Sequence, residues 1–198
     1  MSIEEEIKSQ YSKVYQNTDW KAFKVMADYY LSLSAKLMKK DIEISIDYKL
    51  MCRNIQKRLY IGIGVELLLK GLFLKNNYCI NKMKKGKTPN PNKPIEFKSI
   101  SNQSDLNPNE TYTLNKIIEN IDEIIDRENK DIFLKGLKIA KVFRNKEGHI
   151  AVFNHSYKTQ NYTDIENSII VIYNLGFSET LNYKIAFSKG EKGKFKIE

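Results

Sequence analysis

The chain has 198 residues, 41% of them hydrophobic and 29% charged, and carries a formal net charge of +9. That balance is too apolar for wholesale disorder, and the length suffices for one sizeable core. Nine Gly and four Pro exclude collagen-like or Pro-rich architecture, and the cationic excess suggests a polyanionic partner, nucleic acid or an anionic membrane surface.

The first segment reads as a helix. Ser2 with Glu5 fits a capping box, and Ile3, Ile7, Tyr11 and Val14 recur at helical spacing. Its acidic opening, Met-Ser-Ile-Glu-Glu-Glu, is unlike a secretory signal, so the expected location is the cytoplasm, with Cys52 and Cys79 as reduced thiols. After a break at Asn17-Thr18-Asp19, a second helix presents Trp20, Phe23, Ala27, Tyr30, Ser34 and Leu37 on one face. Ile42, Ile44, Ile46 and Tyr48 alternate as in a short strand. No convincing second strand lies near to pair with them, so this stretch is read as a turn into the next helix. Asp47 opens a third helix that runs to about Asn76, with Leu50, Met51, Ile55, Leu59, Gly62, Val65, Leu69 and Phe73 at threes and fours. Its second half is apolar nearly all round, which expects it at the centre of the fold. The apolar run Ile61–Leu74 is interrupted by Glu66 and Lys70 and is too short to span a bilayer, so no membrane segment is expected.

Residues 77–109 hold Pro89, Pro91, Pro94 and Pro108 among many Asn, Lys and Ser, and read as a long connection, functional or disordered. Residues 70–98 carry eight Lys against Glu96 alone. The charge fits a solvated basic loop or a nucleic-acid contact. In the second reading Lys82, Lys84, Lys85 and Lys87 guide an RNA backbone, with Tyr78 nearby to stack bases. Helix resumes near Asn109, with Leu114, Ile117, Ile118, Ile121 and Ile125 on one face. Another helix covers about 131–150 through Phe133, Leu137, Ala140 and Phe143. Thr163 and Asp164 are placed to cap a last helix carrying Ile165, Ile169, Ile172 and Leu175. The expected fold is an all-α bundle of five or six helices in a single domain, 1–198. Its core covers about 45–175, with a helical extension over 1–40 and a mixed tail over 177–198.

Candidate chemistry centres on the chain's two histidines, His149 and His155. Imidazole is the side chain best suited to proton transfer near neutral pH. His149 closes the stretch Phe143-Arg144-Asn145-Lys146-Glu147-Gly148-His149. On a helix, Asn145 and His149 are four apart and share a face, with Arg144 one position round. A guanidinium that grips phosphate through two parallel hydrogen bonds, an amide that orients and an imidazole that moves protons suit phosphodiester cleavage. The bland account of His149 is a helix-terminal imidazole capping carbonyls. Arg53-Asn54 repeats the dipeptide with no histidine downstream.

The Arg-Asn-x-x-x-His stretch near the end of a late helix resembles the signature of HEPN domains (higher eukaryotes and prokaryotes nucleotide-binding). Their pattern is Arg, four to six residues, then His. A second stretch agrees: residues 62–74, Gly-Ile-Gly-Val-Glu-Leu-Leu-Leu-Lys-Gly-Leu-Phe-Leu, resemble the central helix of HEPN proteins from abortive-infection systems, which often carries Glu-x-x-x-Lys, here Glu66 and Lys70. The resemblance covers about 45–175. It implies an all-α, HEPN-like bundle that pairs its motifs across a homodimer. It also implies a metal-independent endoribonuclease of a toxin or phage-defence system, leaving 2′,3′-cyclic phosphate and 5′-hydroxyl ends. Carried over, Arg144 would contact phosphate, Asn145 would orient its neighbours and His149 would be the acid–base residue. Toxins of this family silenced by a nucleotidyltransferase antitoxin usually carry Tyr two residues after the signature His. Here that position is Ala151, so the abortive-infection branch fits better.

In-line attack by a 2′-hydroxyl needs a base and an acid. A two-fold axis beside the motif would supply both from two copies of His149. His155 is the alternative within one chain. Glu66 and Lys70 read equally as an intrahelical salt bridge and as a pair positioning Arg144 or His149. No Gly-x-x-x-x-Gly-Lys-Ser/Thr loop or His-Glu-x-x-His is present, and Gly62-x-Gly64 follows no strand, so no metal or cofactor is expected. Expected partners are RNA, a second copy and a protein or trigger that restrains the nuclease. The runner-up is a catalytically silent HEPN module that scaffolds RNA or a partner protein, followed by a helical DNA-binding regulator.

Overall fold

A computed structural model describes residues 5, 20–36, 46–87, 90–125, 130–149, 157–185, 187–189 and 195–197. The side chains of 46–51, 103, 148, 149, 187–189 and 195–197 lie outside the description. The described residues are mostly helical, and they add two small two-stranded sheets that an all-α reading omits. Apart from Glu5, the expected first helix lies outside the described residues, and so do Ala151 and His155.

The first helix, α1, is Trp20–Lys36. Phe23, Ala27, Leu31, Ser34 and Ala35 are its buried face; Phe23, Ala27 and Ser34 come from the expected stripe, Trp20 and Tyr30 are only half-buried, and Leu37 lies outside the described residues. The second, α2, is Ile46–Lys75, close to the expected 47–76. Ile61, Val65, Leu68, Leu69, Leu72, Phe73 and Leu74 are buried on it. The chain falls into two compact units whose boundaries cut α1 and α2. One comprises residues 1–24 and 69–126, the other 25–68 and 127–198.

In the first unit, strand β1 (Asn81–Met83) pairs antiparallel with β2 (Leu106–Thr111), opposing Asn81 to Thr111 and Met83 to Leu106 around a bulge. The expected helix from Asn109 is therefore corrected. Residues up to Thr111 are strand, and α3 is only Leu114–Glu119, capped by the Thr113 hydroxyl accepting from the Lys116 amide. Pro108 has no amide proton for a helix, and a two-stranded sheet has only edges, where proline is tolerated. The described part of the Pro-rich segment is tied down by hydrogen bonds. The Cys79 amide donates to the Ile95 carbonyl at 2.7 Å, the Tyr112 hydroxyl to the Lys93 carbonyl at 3.0 Å, and Pro94 is buried.

In the second unit, α4 is Lys130–His149 and α5 is Thr159–Val171, continued by a π-helical turn, Ile172–Phe177. The expected cap at Thr163–Asp164 is corrected, because α5 starts four residues earlier, where the Lys158 amide donates to Asn161 Oδ1 at 2.9 Å. Ile172, Tyr173, Gly176 and Phe177 are buried, whereas Leu175, expected inside, is 58% exposed. Helices α4 and α5 close on Gly136, where a Cβ would meet the Asp164 carbonyl oxygen at 2.1 Å, and Ser168 Oγ bonds the Phe133 carbonyl at 2.7 Å. The tail holds a hairpin of β3 (Phe187–Lys189) and β4 (Phe195–Ile197).

Candidate functional site

Helices α2 and α4 carry the residues singled out by the motif. Their backbones touch at Gly62, where an added Cβ would lie 2.5–2.6 Å from the backbone nitrogen, Cα and Cβ of Arg144. Only a residue without a side chain permits that approach. One turn further along α2, Glu66 Oε2 accepts a hydrogen bond from Arg144 Nε at 2.9 Å. The Glu66 side chain is 15% exposed and that of Arg144 39%, so a shielded carboxylate holds a half-open guanidinium. Among the described residues this is the bond that Arg144 makes. Asn145 and Lys146 are exposed beside it, and α4 stays helical through His149, one turn after Asn145.

The structure thus brings Glu66 to Arg144. Lys70 is buried in the first unit, where its Nζ donates to Thr111 Oγ1 at 3.1 Å.

Two turns before Glu66, α2 supplies a second cation to α4. Arg58 Nε bonds Glu147 Oε1 at 2.6 Å, with side chains only 2% and 1% exposed. The order of the pairs, 58 with 147 and 66 with 144, is that of antiparallel helices. The guanidinium of Arg58 lies over the Tyr157 ring, 5.2 Å from its centroid. Phe143 stands edge-on to Tyr157 at 4.7 Å and packs against Tyr162 at 5.5 Å. Burial acts to lower the Arg58 pKa, but the bonded Glu147 carboxylate and the Tyr162 oxygen outweigh it, so the group stays a cation. Burial pushes the Tyr162 phenol up, with Arg58 pulling the other way. Beside this pair, Lys57 is 1% exposed and donates to the Ile185 carbonyl at 2.8 Å. Burial lowers its pKa to about 7, and Glu166 offsets part of the effect. Glu166 also accepts the Ile185 amide, so the two side chains grip one residue of the tail from both sides.

Arg58 and Glu147 escape a reading based on the motif, because Glu147 falls at an unspecified position of it. A signal was present: Glu147 continues the stripe Leu137, Ala140 and Phe143, and a charge on a buried stripe needs a partner.

The basic loop is less bare than its own composition suggests. Lys82 pairs with Glu110 at 3.2 Å and Lys87 with Asp105 at 3.3 Å. Lys93 meets Glu123 at 2.7 Å and Lys98 meets Glu96 at 2.6 Å. Three of these four acids come from beyond residue 98. Lys84 and Lys85 are exposed and make no ion pair among the described residues. Tyr78 packs edge-on to Phe73 at 5.7 Å and lines an open cleft with Glu96, Lys98 and Glu123. No group of three His, Cys, Asp or Glu among the described residues is arranged to hold a metal ion. No described helix is long and apolar enough to cross a membrane.

Compared with protein-family models, curated proteins and solved structures, the chain matches none.

Proposed function

We propose that this chain is a metal-independent endoribonuclease of the HEPN type, working in the cytoplasm as part of a toxin or phage-defence system. The observation that supports it most is the Glu66–Arg144 pair. A glutamate on the central helix holds the motif arginine through Nε, and this leaves both terminal amino groups of the guanidinium for two oxygens of one phosphate. A surface arginine with no duty needs no shielded carboxylate to aim it.

In the proposed reaction, Arg144 binds the scissile phosphate and offsets the charge that builds on its oxygens. One His149 takes the proton from the ribose 2′-hydroxyl as that oxygen attacks phosphorus. A second imidazole, from the His149 of a second copy, protonates the departing 5′-oxygen as the P–O5′ bond breaks. The products are a 2′,3′-cyclic phosphate and a 5′-hydroxyl. Asn145 orients the reacting groups, and Lys84 and Lys85 are the loop cations best placed to meet RNA.

The test is incubation with total RNA in EDTA, beside Arg144→Ala and His149→Ala. Cleavage by the wild type alone, with cyclic-phosphate ends, is the expected result. Equal cleavage by all three removes the motif from the chemistry. RNA binding without cleavage in any of them favours a silent scaffold module.

A further inference from the structure

The Arg58–Glu147 pair is a poor device for stability. Both side chains are almost wholly buried, yet they share a single bond, from Nε to Oε1. A side-on pair of this kind ordinarily closes a second bond from Nη2 to the other carboxylate oxygen. Here Arg58 Nη2 and Glu147 Oε2 are both buried with no hydrogen-bond partner among the described residues. Buried ion pairs often do no better than apolar residues of the same volume, and an unmet donor and acceptor make this one worse. Breaches of local consistency of this kind cluster at functional sites.

Its place in the chain is informative. Glu147 stands inside the motif, two residues before His149 and three after Arg144. It occupies the buried side of α4, while Asn145 occupies the exposed side. Tyr157, where the described chain resumes after His149, lays its ring under the Arg58 guanidinium and against Phe143, the residue before Arg144. Arg58 therefore touches the chain on both sides of His149.

We infer that Arg58 and Glu147 are positioning residues, which set the last turn of α4 and the return at Tyr157 so that residues 144–149 keep one arrangement. The catalytic half of this inference rests on the ribonuclease reading.

The experiment uses the full chain with the double substitution Arg58→Met, Glu147→Leu, which replaces the pair by apolar side chains of similar size. Its melting temperature is expected to stay within about 5 °C of the wild type. Two readouts follow. Amide hydrogen exchange at 147–149 is expected to speed up about tenfold or more while Leu137–Phe143 stays protected. The kcat for RNA cleavage is expected to fall between about tenfold and a hundredfold with KM within about twofold, which a role in stability alone does not produce. Unchanged exchange at the end of α4 overturns the proposal, and so does faster exchange with an unchanged kcat. If the wild type cleaves no RNA, the ribonuclease reading fails and the exchange measurement decides the inference alone. If the double variant does not fold, Arg58→Lys takes its place and is read by the same criteria. It keeps the charge and stem but loses the planar fork.

Discussion

Glu66 and Arg144 meet at 2.9 Å one helical turn beyond the point where Gly62 lies against the Arg144 backbone. The glycine sets the distance between the helices and the carboxylate sets the direction of the guanidinium. Because the arginine side chain is 39% exposed, the pair adds only about 0–1 kcal/mol of stability. Aim matters more to a phosphate than stability does, and a misplacement of about 1 Å costs on the order of a hundredfold in rate. Glu66→Ala is expected to leave the thermal melt within a few degrees and to lower RNA cleavage by about a hundredfold. A melt and a cleavage assay on one preparation check both.

Gly62→Ala is expected to lower stability as well as cleavage, because the helix that carries Arg144 must move. The new Cβ would stand 2.5–2.6 Å from backbone atoms of Arg144, which cannot rotate away as a side chain end can. Overpacking of this sort costs about 1–3 kcal/mol, read as a lower urea midpoint. Gly86 serves as the contrast. It has open space around it and a φ of +81°, so alanine there costs only about 1–2 kcal/mol of left-handed strain, with no helix displaced.

Lys57 carries a pH signature. Burial holds its pKa at about 7, below its usual value in an unfolded chain, so over the window from about 7 to about 10.4 the unfolded state binds more protons. Stability is expected to rise as pH rises through that window and to be lowest below it, where the folded protein must bury a charge. Urea midpoints at pH 7 and pH 9 are expected to diverge in the wild type and to converge in Lys57→Met.

The two thiols are expected to react differently. Cys79 is 1% exposed, and burial pushes its pKa up to about 11, so almost none of it is thiolate at neutral pH. Cys52 is only half-buried. Under native conditions iodoacetamide is expected to modify Cys52 first, with Cys79 labelled only in denaturant, as mass mapping would show.

Within the basic loop the lysines are not equivalent. Lys84→Ala with Lys85→Ala is expected to weaken RNA binding and to flatten its salt dependence by about one to two charges. Lys82→Ala with Lys87→Ala is expected to do less, since those ammonium groups already face Glu110 and Asp105. Binding titrations across a salt series separate the two.

The sequence carried more of the fold than of the site. Long periodic runs announce α1, α2 and α4, because an apolar stripe repeated over several turns has one reading. The β1–β2 hairpin was hidden by three-residue pairing, a bulge and Pro108, which leave no alternation to detect. Leu175 is exposed although it follows the buried Ile172 by three residues, because the buried stripe continues through Tyr173, Gly176 and Phe177 and leaves it on the flank. At the site, the motif spacing points to Arg144, Asn145 and His149, while the apolar surroundings of Glu66 read equally as a tolerated salt bridge and as a positioning residue, and only the structure gives it Arg144 as a bonded partner. Lys70, on the same helix, donates to Thr111, and no spacing rule foresees a partner 41 residues away. The charge of the loop was overstated for the same reason: its acids arrive from other parts of the chain.

The turn at Ile172–Phe177 has a consequence for how this protein tolerates length changes. A π-helical turn is an α-helical turn with one residue too many, closed here by Ser178 in the left-handed conformation. Deleting Leu175, which is mostly exposed, would remove the surplus and let the helix run on regularly. Everything after it would then rotate by about 100°, carrying Tyr183 away from Asp28 and Ile185 away from Lys57, the bonds that fasten the tail. A loss of one residue at the surface would thus undo anchorage formed in the interior, whereas replacing the same leucine by a polar residue would pass unnoticed.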